Sequence, residues 1–143
     1  MSKPIRALAL LVAAGLLACA AAWAQTAETA TPIHFARGAS RAVISGGVER
    51  GGRALYTLGA RAGQTLAVRA AALERNVAFQ IYRPGFVLPA QRGDEIQGKT
   101  LQGAGEGQDT RHWSGRLPDS GDYLLVVGAT RGGAAYRLRI SIR

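Results

Sequence analysis

Cysteine is almost absent from this sequence, with Cys19 the single example among 143 residues. It lies in an apolar stretch near the N-terminus, so the 119 residues that follow residue 24 contain no thiol. Disulfide bonds and thiol catalysis are therefore excluded for that part of the chain. A domain formed there has to be stabilised by its hydrophobic core, and its length is sufficient for one such domain.

The sequence also lacks a hydrophobic run typical of a membrane span. Residues 7–22 form an uncharged apolar run, but it is rich in alanine and short against the roughly 17–25 residues of a transmembrane helix. Lys3 and Arg6 precede the run, and Ala22-Trp23-Ala24 follows it with small residues where a signal peptidase cuts. This order predicts a cleaved signal peptide at residues 1–24, no membrane span, and export to the periplasm.

Cys19 leaves an alternative open for the N-terminus. Leu16-Leu17-Ala18-Cys19 resembles a bacterial lipobox, in which the cysteine is acylated and becomes the first residue of the mature protein. Lipidation at Cys19 would anchor the protein to the outer membrane rather than release it. The small residues at 22 and 24 favour ordinary cleavage, with Cys19 as one more apolar residue of the signal peptide.

Lysine and acidic residues are scarce, whereas arginine is abundant. After removal of Lys3 and Arg6, 16 of the 18 basic residues remain against nine acidic ones, a net charge of about +7. Lys99 is then the one lysine. Such a charge favours anionic glycans, lipid head groups or an acidic cleft as partners. The alternative is a solvated basic surface, which the even spread of the arginines along the chain favours.

Residues that commonly catalyse reactions or hold metals are few. His34 and His112 are the only histidines, no H-x-x-x-H or G-x-S-x-G pattern occurs, and no metal site or cofactor is predicted. The segment 119–122 is better interpreted as a type I turn than as a calcium loop. The glycine-rich segment 103–107 lacks the lysine of a phosphate-binding loop. The sequence therefore indicates a binding protein rather than an enzyme.

Nucleic acid is also not expected as a partner. Arg-Gly-Gly occurs at residues 50–52 and 131–133, as in some RNA-binding segments. Single-strand binders add aromatic stacking platforms, whereas the aromatics here fall on predicted core faces. The two triplets are better interpreted as glycine turns that precede strands.

The dominant hydrophobic period is two, which is typical of β-strands. Tyr136, Leu138 and Ile140 alternate with polar residues, and residues 122–127 are almost continuously apolar, as in a strand buried on both faces. Gly46-Gly47 suggests a bulge or bend in the first strand, and only residues 70–75 could form a helical turn. Further predicted strands span residues 41–49, 55–60, 65–70, 77–82 and 136–143.

Short strands at intervals of about 8–12 residues, with glycine-rich turns between them, predict a single small antiparallel β-sandwich of about seven to eight strands. We expect it to occupy residues 34–143, after a flexible leader at 25–33. Residues 84–109 interrupt the regular spacing. A connection of that length is either functional or disordered in a compact domain.

Two groups of short motifs lie along the predicted sandwich. The first contains Ser45-Gly46 and Tyr56-Thr57, together with residues 35–40 and 60–64. The second contains Thr130-Arg131, together with residues 113–118 and 120–123. In their order and spacing these motifs resemble the periplasmic inhibitors of g-type lysozyme. The resemblance spans residues 35–142 and extends to the wider group of pre-peptidase C-terminal-like β-sandwich domains.

This resemblance implies a β-sandwich that blocks the active-site cleft of a lysozyme, an enzyme that cleaves glycans with carboxyl groups. The positions that match partner-binding residues of the family are Tyr56 and Arg131, with Ser45 and Gly46 as supporting residues. Tyr56 has core packing as an alternative role, and Arg131 a solvated turn position. The alternative function is a non-enzymatic periplasmic binding module for glycan or other anionic components of the cell envelope.

Overall fold

Eight β-strands and no helix make up residues 28–143, the part of the chain that this computed structural model describes. The predicted signal peptide, its cleavage position and Cys19 lie outside the described residues. Within 28–143 there is accordingly no helix that could cross a bilayer. The strands are β1 (Thr31–Pro32), β2 (Arg41–Val48), β3 (Arg53–Ala60), β4 (Thr65–Ala72), β5 (Val77–Tyr82), β6 (His112–Arg116), β7 (Gly121–Ala129) and β8 (Ala134–Ile142).

The strands form two sheets of four that pack face to face. The first sheet has the order β1-β3-β7-β5, and the second has the order β2-β8-β4-β6. All pairings are antiparallel except that of the short β1 with β3. The predicted all-β sandwich is thus confirmed.

The alternating pattern of β8 sets which of its faces is buried. Tyr136, Leu138 and Ile140 point between the sheets and are at most 4% exposed, while Arg137 and Arg139 are exposed on the other side. This is the two-residue period of a half-buried strand, as predicted. Side chains from β4, β5 and β7 complete the same core.

Strand β7 is buried on both faces because the first sheet is covered on its outer side. Leu124 and Val126 point away from the main core and pack with Leu55, Tyr82 and Ile96 in a second cluster. Ile96 belongs to the connection 84–109, which also adds Phe86 and Leu88. The continuous apolar run of β7 therefore reflects two cores rather than a parallel sheet.

The connection 84–109 is attached to the first sheet along its length. Its two halves pair with each other at Val87 and Gln97, and Thr100 pairs with Tyr82 at the end of β5. The amide of Ile81 donates to the carbonyl oxygen of Ala104 at 3.0 Å. The segment, called the lid below, covers the second cluster with Phe86, Leu88 and Ile96, while its Leu101 and Ala104 belong to the main core.

Residues 28–33, the described part of the predicted leader, also lie against the first sheet. Glu28 is 8% exposed and forms an ion pair with Arg53, whose Nε donates to the carboxylate at 2.7 Å. This guanidinium lowers the pKa of Glu28. β1 follows, and the amide of Ile33 donates to the carbonyl oxygen of Thr57 at 2.8 Å.

Two local predictions are wrong. No bulge occurs at Gly46-Gly47, because β2 pairs with β8 without a break from Arg41 to Val48. Gly46 instead leaves room for Tyr136 on the adjacent strand β8. Residues 70–75 do not form a helical turn, because β4 continues to Ala72 and a turn with Arg75 at a φ of 53° leads to β5.

Candidate functional site

Three turns meet at one end of the sandwich. They are residues 49–52, 73–76 and 130–133, which follow β2, β4 and β7. Asn76 joins two of these turns, since its side-chain amide donates to the carbonyl oxygens of Arg131 at 3.1 Å and Gly133 at 2.9 Å. The backbone carbonyl oxygen of Asn76 accepts a hydrogen bond from the backbone amide of Thr130 at 2.8 Å. Asn76 is 3% exposed, so buried hydrogen bonds hold the turn that carries Arg131 in place.

Arg131 is exposed at the tip of this end. One guanidinium nitrogen donates to the carbonyl oxygen of Glu74 at 2.9 Å, which holds the side chain across the neighbouring turn. A guanidinium carries five N–H donors, so most of them face solvent at this position. The geometry presents an oriented cation that can form charge-assisted hydrogen bonds with a carboxylate.

Tyr56 and Tyr136, here called the tyrosine pair, meet between the two sheets. Their hydroxyl oxygens are 2.5 Å apart. Gly46 lies opposite Tyr136 on β2, and a Cβ atom there would come within 2.5 Å of the Tyr136 hydroxyl and 3.0 Å of the Tyr56 hydroxyl. Gly46 therefore leaves the space in which the hydroxyl groups meet. Burial raises the pKa of Tyr136, and the hydrogen bond with Tyr56 raises it further by a smaller amount.

The four residues that the sequence singled out occupy three different environments. Gly46 and Tyr56 are in contact range, with the Tyr56 ring half-buried against the main core. Ser45 points to the opposite side of β2 and is exposed on the outer face of the second sheet, beside Arg137. No hydrogen bond within 28–143 joins Arg131 to Tyr56 or Ser45.

Sequence reasoning missed Asn76 and Glu74. Each acts on a turn about 55 residues away, so neither contact has a local signal in the sequence. Tyr136 was predicted as an inward residue of β8, but its partner depends on which strands face each other across the sandwich. A polar Asn directly before an apolar strand, after a turn residue, is the one feature that could have suggested a buried amide.

The exposed groups at this end can form hydrogen bonds and ion pairs with a partner. Within residues 28–143 no group of three histidine, cysteine or acidic side chains could hold a metal ion. The two ion pairs of the described residues, Arg53–Glu28 and Arg83–Asp119, include none of the three turns. This end presents the guanidinium of Arg131, while the partly exposed Tyr56 lies further along the sandwich in β3.

No family model and no curated protein matches the sequence. Solved structures do match. One is PliG of Aeromonas hydrophila, a periplasmic lysozyme inhibitor of g-type lysozyme, with 30% identity and a TM-score of 0.60 over 80% of this chain and 96% of that protein.

Two further structures share the fold at lower identity. PliG of Salmonella Typhimurium is 22% identical with a TM-score of 0.57, over 81% of this chain and 99% of that one. A mutant of PliG from Escherichia coli is 21% identical with a TM-score of 0.54, over 79% and 96%. At these identities the two likenesses concern the fold alone.

Proposed function

Because the chain belongs to the PliG family of periplasmic lysozyme inhibitors, we propose that it binds a g-type lysozyme and inhibits it by blocking the cleft in which glycan is cleaved. The observation that carries this proposal is the 30% identity to the Aeromonas inhibitor over 96% of that protein. The protein acts by binding rather than by catalysis. The signal peptide pattern at residues 1–24 supports action in the periplasm.

Arg131 is the residue that we assign to the lysozyme cleft. Lysozymes cleave glycans with carboxyl groups in a groove. A guanidinium placed against such a carboxylate, with water excluded, forms strong charge-assisted hydrogen bonds. The bonds from Asn76 and to Glu74 support this role, because they fix the turn and the side chain before the partner arrives.

Tyr56, Ser45 and Gly46 have supporting roles in this proposal. Tyr56 is held by Tyr136, and its half-buried ring leaves part of the side chain for a partner. Gly46 acts indirectly by leaving room for the tyrosine pair. Ser45 offers a hydroxyl group on the neighbouring edge strand.

The test is the lytic activity of a g-type lysozyme on bacterial cell walls, measured with increasing amounts of the mature protein. We expect stoichiometric inhibition by the wild type. The Arg131→Ala variant should inhibit at least about tenfold more weakly, as expected for loss of a central arginine contact. A c-type lysozyme in the same assay tests the specificity, and we expect it to keep its activity.

Arg50→Ala is the matched control, because Arg50 is exposed in the adjacent turn and its side chain has no hydrogen bond within residues 28–143. It should inhibit within about twofold of the wild type, as is usual for a peripheral contact. Full lytic activity at a large excess of protein, with folding verified by circular dichroism, would overturn the inhibitor proposal. Equal losses in both variants would remove Arg131 from the site.

A further inference from the structure

The outer face of the second sheet carries cations and no anions. None of the nine acidic residues lies on β2, β4, β6 or β8. Five arginines and one histidine are exposed there, and we call this surface the arginine face: Arg41, Arg69, His112, Arg116, Arg137 and Arg139. Residues that were spread along the sequence are thus gathered on one side of the molecule.

The centre of the arginine face places like charges directly opposite one another. Arg139 on β8 pairs with Arg69 on β4, so two guanidinium groups lie opposite each other. The other neighbour of Arg69 is His112 on β6, so no acidic side chain lies opposite Arg69 on either strand. Neighbouring strands are about 4.8 Å apart, and like charges in such positions destabilise a sheet. Neither ion pair of the described residues includes Arg69, Arg137 or Arg139. An anionic ligand would remove this repulsion.

Small side chains separate the arginines and leave open grooves. One groove of about 430 Å³ has Arg41, Arg69 and Arg139 along its sides. A second, of about 660 Å³, has Arg69, Arg137 and Arg139. Ala67 and Ala71 are among the residues that line them. Because Arg69 and Arg139 line both grooves, the two grooves lie side by side on the sheet, and we call them together the track.

We propose that the arginine face binds a linear acidic polysaccharide along this track, at a site separate from the turn of Arg131. The guanidinium groups would bind carboxylate groups of the polymer, and Ser141 would offer a hydroxyl group to its sugars. Val43 is the one large apolar side chain that points outward from these four strands. Leu73, just after β4, is fully exposed at the second groove, but among the described residues the outer face has no exposed Trp or Phe of the kind with which membrane-surface elements insert into lipid.

The experiment uses polygalacturonate as the charged probe and fully methyl-esterified polygalacturonate as its uncharged counterpart. Wild-type protein should bind the first and not the second, and binding should weaken from about 50 to about 300 mM NaCl because exposed charges are screened. A variant with Arg69→Gln, Arg137→Gln and Arg139→Gln should lose affinity roughly tenfold or more, given small additive contributions from each exposed charge.

The matched control is a variant with Arg37→Gln, Arg61→Gln and Arg92→Gln, which lowers the net charge equally through exposed arginines of loops. It should bind within about threefold of the wild type, since peripheral charges contribute little. Equal losses in the two variants, or no binding by the wild type at low salt, would overturn the proposal. Binding only to vesicles that contain phosphatidylglycerol would also overturn it, in favour of a membrane surface.

Two further measurements keep the result interpretable. Thermal unfolding should show the face variant at least as stable as the wild type, because three repelling charges are removed. Arg69→Gln alone serves as the second variant and should show a smaller loss in the same direction. Lysozyme inhibition by Arg69→Gln should be unchanged, because Arg69 pairs with β6 and β8 and not with Ser45 on β2. Failure of glycan binding and failure of inhibition are therefore separate outcomes.

Discussion

At position 46 the missing side chain is what allows two hydroxyl groups to meet in the core. Gly46→Ala would place a Cβ atom 2.5 Å from the Tyr136 hydroxyl oxygen. Because Tyr136 is buried and cannot swing away freely, we expect a loss of about 1–3 kcal/mol in the free energy of unfolding, as for other overpacked cores. Denaturant unfolding of the purified variant measures this loss.

The neighbouring glycine supplies the control for that prediction. A Cβ atom at Gly47 would have the carbonyl oxygen of Ala134 as its nearest neighbour, at 3.7 Å. Gly47→Ala should therefore change stability by less than about 0.5 kcal/mol, as is usual for a surface site. If both variants lose the same amount, backbone freedom rather than the tyrosine pair is the reason for glycine at this place.

Among the connecting elements, the lid formed by residues 84–109 makes the clearest stability prediction. Ile96 is 5% exposed and covers the outer side of β7. Ile96→Ala should lower the free energy of unfolding by about 2–4 kcal/mol, because a cavity forms over Leu124 and Val126. Val87→Ala, in the same segment but 59% exposed, should have little effect. Similar losses in both variants would mean that the lid is not packed on β7.

Individual elements differ in how much of them the sequence predicts. β8 alternates strictly, so its buried face could be predicted from residues 136–140 alone. The run in β7 predicted burial on both faces but not what covers it, because Ile96 is isolated in a segment without periodicity. The candidate site was predictable only in part. The contact of Tyr56 with Tyr136 spans 80 residues and depends on how the sheets face each other.

For the whole molecule, the shifted pKa values of Glu28 and Tyr136 predict that folding stability falls at both acid and alkaline pH. The pKa of Glu28 is lowered by Arg53, so its contribution is present above the ordinary value of 4.5 and is lost as the pH falls. The pKa of Tyr136 is raised by burial, so stability is full below the ordinary value of 10.0 and declines as the pH rises beyond it. Thermal unfolding across this range measures both losses of stability.

Single substitutions test which side chain causes the loss of stability at acid pH and which causes the loss at alkaline pH. Glu28→Gln should flatten the acid limb of the profile, while Asp119→Asn should change it little, because the ion pair of Asp119 with Arg83 is substantially solvent-exposed. Tyr136→Phe should flatten the alkaline limb in part, since burial also raises the pKa of Tyr82 and of Tyr123. An acid limb that is unchanged in Glu28→Gln would mean that the pairing of Glu28 with Arg53 does not contribute to folding stability.

The strand order of the second sheet also constrains the sequence of events during synthesis. β8 lies between β2 and β4, both of which precede it in the chain. Until residues 134–142 have left the ribosome, β4 can pair with β6, but β2 has no partner in this sheet and the sheet stays incomplete. Pairings between such distant segments form slowly. This topology therefore makes completion of the second sheet a late event in the folding of the chain.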